Sequence, residues 1–255
     1  MLVGLVPLVA VVLGRVISVR GRRVPLLTLG LAAIAVAFVV RLSVVDKAID
    51  PHIATAANLT DLWHVLLAGA AWWALGALSL PVIVEHPRVR DRLEHLLDAH
   101  RRVRLAGRTY EDAAVHLWTA ANLVATLAAW SFWFLGDVSR VEVDDMMHLH
   151  DTGTVALTWL YLAWAFTGGL IVTTAALISL PDPEAPRLVT GVMLGIGICG
   201  IGISITGAAF LIVDSAALES NFPLIMAVWG IPGLLLLAMF GFLTAAQRSD
   251  DADVD

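Results

Sequence analysis

Runs of eighteen or more apolar residues recur along the whole 255-residue chain, and they constrain it more than any motif does. Wound as a helix at about 1.5 Å per residue, some 20 residues cover the roughly 30 Å of a bilayer's hydrocarbon core. Backbone in hydrocarbon finds no water to bond. Each segment must therefore pair its own N–H and C=O groups, which for an open chain means a helix. The charged fraction agrees: 15% here, against about 25% in an ordinary soluble domain. The expected fold class is all-α, a polytopic membrane bundle of seven transmembrane helices.

The runs place the spans at about 2–19, 24–44, 61–84, 112–136, 153–180, 188–213 and 222–246. Arginine sets the orientation, because cytoplasmic loops retain positive charge. The first, third and fifth connections and the C-terminus carry Arg20, Arg22, Arg23, seven arginines between Arg88 and Arg108, Arg187 and Arg248. The alternate loops carry Lys47 and Arg140, with Arg41 at a span edge. The N-terminus is thus expected outside and the C-terminus in the cytoplasm, in a multi-pass protein of the cell (plasma) membrane. The start, MLVGLVPLVAVVLG, lacks the positive leader of a secretory signal and reads as a retained first helix. Residues 1–248 form one domain with a basic cytoplasmic loop at 85–111 and an acidic outer loop at 137–152. Residues 249–255 read as a disordered acidic tail.

The loop 85–111 has partial helical spacing of Leu93, Leu96, Leu97 and Val103, and reads as a surface helix whose arginines rest on anionic lipid headgroups. Its charges are mixed, so nucleic acid is not an expected partner. Lipid is, and a protein partner or a second copy is possible. Trp63, Trp130, Trp133 and Trp159 fall near the outer interface and read as anchors.

Ionisable and polar residues within spans are functional candidates by default. Asp61, His64, His116 and Asn122 are the ligand or pathway candidates, while Arg15 and Arg41 sit near span ends and can snorkel to the interface. Span six carries small residues at spacings of three and four, among them Gly191, Gly195 and Gly202, a face for close helix packing. In span seven Pro232, between Gly230 and Gly233, predicts a kink.

Residues 144–151 read DDMMHLHD in the fourth loop, expected outside. Imidazole with carboxylate suits zinc, nickel or copper(II). His148, His150, Asp144 and Asp151 are therefore candidate ligands for a divalent metal, though such residues are also ordinary in loops. No other cofactor is expected. Span seven lacks a lysine for retinal, and His64 and His116 lie near opposite faces, which excludes a shared haem. No catalytic motif is present, so an enzyme is not the expected class. The single cysteine, Cys199, excludes an internal disulfide.

The bias to arginine over lysine, with abundant Ala, Val, Leu and Gly, points to a GC-rich genome. The stretch SVRGRRVPLL entering span two, and Asn58-Leu59 followed by His64 opening span three, resemble a family of actinobacterial seven-span membrane proteins described as putative transporters. The resemblance is specific over about residues 20–80, and it implies a seven-span fold and a transport role. Members often add a cytoplasmic C-terminal domain that has no counterpart within these 255 residues. Two functions stand: a small-solute or cation transporter or channel with an acidic outer vestibule, or a sensor or interaction module that binds a ligand at its outer loops without transport.

Overall fold

The structure, a computed structural model, describes residues 2–18, 25–42, 45, 58–92, 110–137 and 151–252, and these are helical apart from caps and turns. The helices are α1 (Leu2–Ser18), α2 (Leu26–Val40), α3 (Leu59–Glu85), α4 (Tyr110–Leu135), α5 (Thr152–Ser179), α6 (Arg187–Val213), α7 (Ser215–Ile225) and α8 (Ile231–Ala252), with a π-helical turn at Met226–Gly230 joining the last two. Five helices among the described residues are long and apolar enough to cross a membrane, counting α7 through α8 as one; α1 and α2 are shorter apolar helices.

The ends follow local chemistry. Pro25 and Pro186 sit at the N-caps of α2 and α6, where a missing N–H costs nothing. Asp151 and Asp214 cap α5 and α7 with their carboxylates. Pro181, Pro183 and Pro186 crowd the short α5–α6 connection and stop the helix from running on. Asn58, before α3, has φ 51°, a left-handed conformation that asparagine tolerates better than most residues.

Contacts fix the direction of each helix. Gly4 lies against Leu234 and Gly241 against Val11, so α1 and α8 run parallel. Gly69 lies on Trp164 and Gly168 on Trp72, so α3 and α5 run parallel. Gly30 against Ala74 with Ala37 against His64 sets α2 antiparallel to α3, Gly76 against Trp118 with Leu62 and Val65 against Ala129 and Trp133 sets α4 antiparallel to α3, and Gly195 against Leu236 with Gly202 against Trp229 sets α6 antiparallel to α8. α5 and α6 form the most extensive contact and α4 is peripheral, touching α3 and α5. Its buried residues are only Asn122, Ala129 and Trp133.

Close approach depends on glycine. A Cβ on Gly169 would lie 2.8 Å from the Gly197 carbonyl oxygen and 3.0 Å from the Ile201 nitrogen, so backbone meets backbone where α5 crosses α6. Large apolar side chains such as Leu117, Ile212 and Val213 are more than 70% exposed, as suits contact with lipid rather than water.

Three expectations are corrected. Arg15 does not snorkel: it is 5% exposed and turns inward between three helices, donating to Thr28 Oγ1 (3.1 Å), the Gly241 carbonyl (2.6 Å) and Thr244 Oγ1 (3.0 Å). Arg41 also turns inward, onto Asp61. Trp133 is not an interfacial anchor but a core residue, and its indole N–H has no hydrogen-bond partner among the described residues. At Pro232 the helix changes just upstream, where Ile231 N–H bonds to Met226 O across five residues; the wider turn relieves the proline ring of the carbonyl it would strike in a regular helix. α8 runs on to Ala252, past the expected end of the span.

Candidate functional site

Besides the Arg15 cluster, two features of the described interior bring polar groups to a cavity. The first lies at the end of the bundle where α2 finishes and α3 and α5 begin. Arg41, just past α2, forms an ion pair with Asp61 in the first turn of α3; their side chains are 15% and 3% exposed. One turn on, His64 Nδ1 lies 2.8 Å from the Ala37 carbonyl oxygen. A carbonyl only accepts, so Nδ1 carries a hydrogen. The imidazole meets the Phe38 ring edge-on at 5.3 Å and the Tyr161 ring at 5.6 Å.

Arg41, His64, Thr158 and Tyr161 line a cavity of about 30 Å³, closed on the far side by Leu218, Phe222 and Ile225. That is room for a water or two, or a bare ion. Thr158 spends its hydroxyl on the Thr154 carbonyl. A second cavity, of about 50 Å³, shares Tyr161 and Ile203 with the first and extends to Cys199, Gly230 and Gly233 beside the π turn. Apart from Tyr161 its lining is apolar, glycine or the lone thiol.

The second feature centres on Asn122, where α3, α4 and α5 meet. Trp164 Nε1 donates to Asn122 Oδ1 (2.8 Å), and Asn122 Nδ2 donates to the Trp118 carbonyl (2.7 Å). An indole N–H and a carbonyl leave only one assignment of the amide's two ends. Trp118 Nε1 donates to the Trp73 carbonyl and Trp73 Nε1 to Thr119 Oγ1. The amide borders an opening of about 350 Å³ between α3 and α4.

The candidates therefore divide. His64 and Asp61, the latter through its ion pair with Arg41, come together beside the first cavity; Asn122 belongs to the lateral opening; His116 is exposed in the second turn of α4, bonded back to the Asp112 carbonyl. Of the small-residue face, Gly195 packs on Leu236 and Gly202 on Trp229, whereas Gly191 faces open space. Asp144, His148 and His150 lie outside the described residues. Asp151 is the N-cap of α5, accepting from Gly153 N, Thr154 N and the Thr154 hydroxyl. Its partial burial works to raise its pKa, but these hydrogen bonds, with one from the Asp137 backbone, outweigh that and hold the carboxyl below its usual 3.8. The described residues contain no group of three or more His, Cys, Asp or Glu placed to hold a metal.

Sequence reasoning missed Arg41 as the partner of Asp61, and it missed Tyr161. A signal existed for the latter: it is one of only two tyrosines and falls in the middle of an apolar run. Comparison with family models, with curated proteins and with solved structures finds no match.

Proposed function

We propose that the chain is a seven-span protein of the plasma membrane, N-terminus outside, that takes up a water-sized polar ligand or small cation at its outer end as a sensor or interaction module. The alternation of helix direction supports seven traverses: α1, α3, α5 and the α7–α8 unit run one way, α2, α4 and α6 the other. The arginine asymmetry supports the orientation. The family resemblance belongs to the same proposal, and two of its residues, Asn58 and His64, are buried at the outer end of α3.

One observation carries binding over transport. Arg41, His64 and Thr158 stand at the outer cavity, whose wall is otherwise apolar, and the neighbouring cavity past Tyr161 and Ile203 offers only groups such as Ile34, Phe38, Trp72 and Leu237. An ion that sheds its water there meets no replacement ligand, a cost of several kcal/mol or more. The transport reading draws on one feature, the π turn beside the inner cavity, since such turns occur at sites that move.

Two experiments test the proposal. A Ser139→Cys variant in a Cys199→Ala background is expected to react with an impermeant maleimide from outside; labelling only after the cytoplasmic face is opened refutes the orientation. In proteoliposomes, fluxes of H⁺, Na⁺ and K⁺ are expected at the level of empty vesicles. A flux abolished by His64→Phe would make the protein a transporter.

A further inference from the structure

The opening beside Asn122 is the largest of the three cavities described above, and its position is informative. Asn122 is 12 residues from one end of α4 and 13 from the other, so it lies about 18–20 Å from either end, at mid-height. Contacts close the α3–α4 seam on both sides of it. Toward the outer end, Leu62 and Val65 pack with Ala129 and Trp133. Toward the other end, Trp118 wedges onto Gly76 and binds the Trp73 carbonyl. Between them the helices stand apart over Leu66, Gly69, Ala70 and Leu123, and the result is a lateral window. Its volume of about 350 Å³ falls in the range of small-molecule sites.

The lining sorts into spent and unspent polar groups. The Thr119 and Thr126 hydroxyls donate to the carbonyls of Val115 and Asn122, and the Trp73 N–H is taken by Thr119. These present mainly methyl and ring surface. Asn122 differs. It is 8% exposed, and its amide has two N–H bonds and two acceptor positions. One donor goes to Trp118 and one acceptor position to Trp164; the second N–H has no protein partner among the described residues.

The geometry points to a binding site for a membrane-dissolved hydrocarbon-chain compound bearing a carbonyl, its chain lying in the window and its oxygen accepting from the remaining Asn122 N–H. A phospholipid does not meet this requirement. Its ester carbonyls are held near the interface, about 15 Å from the bilayer centre, whereas a free ketone- or quinone-like molecule can bring its oxygen to mid-depth. The inference takes the membrane spans from the reading above and is independent of the outer cavity.

The test uses two photoactivatable probes in phosphatidylcholine vesicles: a long-chain ketone carrying a diazirine, and the same chain without the oxygen. Cross-links are mapped by mass spectrometry. Both probes should label Leu29 and Leu177, exposed apolar residues away from the window, to the same extent; their failure to do so would overturn the membrane reading itself. At Leu66, Ala70 and Leu123 the ketone should label several-fold more than the hydrocarbon. Asn122→Leu should erase that preference. Ala70→Trp, which fills the window from an exposed position and leaves the Asn122 bonds in place, should remove window labelling by both. Equal labelling of the window by the two probes, or ketone labelling that survives Ala70→Trp, overturns the inference. So does cross-linking of two copies through a Leu123→Cys variant at the density where the ketone preference is sought, since a neighbouring helix would then fill the window.

Discussion

Separating Arg41 from Asp61 is the sharpest test of the site at the start of α3. Their side chains are 15% and 3% exposed, which puts the pair in the buried regime. Removing one partner of a buried pair strands the other charge and costs about 3–5 kcal/mol; replacing both with apolar groups is often neutral or stabilising. Exposed pairs contribute only about 0–1 kcal/mol. For a chain of this length each kcal/mol moves Tm by about 2–4 °C. Asp61→Leu and Arg41→Met are each expected to lower Tm by roughly 6–20 °C. The double variant should fall by much less than the sum. Loss of the carboxylate from the first turn of α3 adds up to about 1 kcal/mol through the helix dipole; it enters the Asp61 single and the double alike and cancels from the coupling. The assay is thermal unfolding of the detergent-solubilised protein at one fixed scan rate, because a Tm for irreversible unfolding depends on that rate. Singles that cost under about 4 °C each, as for a surface pair, or a double equal to their sum, would refute the idea that the two charges form a coupled buried pair.

Three further outcomes follow from the packing and the caps. Gly169→Ala should destabilise by about 1–3 kcal/mol, since its Cβ meets backbone that cannot step aside, whereas Gly191→Ala, with nothing within 4 Å, should be neutral or slightly stabilising in the same scans. Arg15→Met keeps an unbranched stem but drops the bonds to α2 and α8, and should cost about 2–3 kcal/mol, or roughly 4–12 °C; an unchanged Tm would reduce the arginine to filler. Asp151 has a folded pKa below its usual 3.8, so its ionised form stabilises the fold above that value, and the contribution disappears as pH falls through the folded pKa. The wild type should therefore lose more stability between pH 5 and about 2.5 than Asp151→Asn does, measured by unfolding across that range; parallel curves would refute the capping role.

The apolar runs made the helices legible because hydrocarbon leaves the backbone one solution: their bounds agree with α1 to α6 to within a few residues, although α1 and α2 are shorter than the spans expected there or than a crossing needs. What the runs conceal is which face of each helix meets protein. α6 is apolar all round, so its glycines gave no single face: Gly195 and Gly202 pack toward α8 and the π turn, while Gly197 and Gly200 pack against Thr173 and Trp72. Reading one stripe selected one of two working faces and included Gly191, which packs on nothing. Arg15 fails for the same reason. A cation at a span end snorkels by default, and only the fold brings up Gly241 and Thr244, more than 220 positions away. Asp151, read from the sequence as a candidate ligand, also carried an unused capping signal: Asp followed by Thr-Gly-Thr at the start of an apolar run. Asn122 stood out as an amide in mid-span, and the partner that gives it meaning, Trp164, did not. An indole in an apolar run is indistinguishable from core until the structure shows its N–H held by that amide and its ring seated on Gly69. Polar residues in the spans were thus visible one at a time, and their chemistry lies in pairs drawn from different helices: Arg41 with Asp61, His64 with Ala37, Asn122 with Trp164.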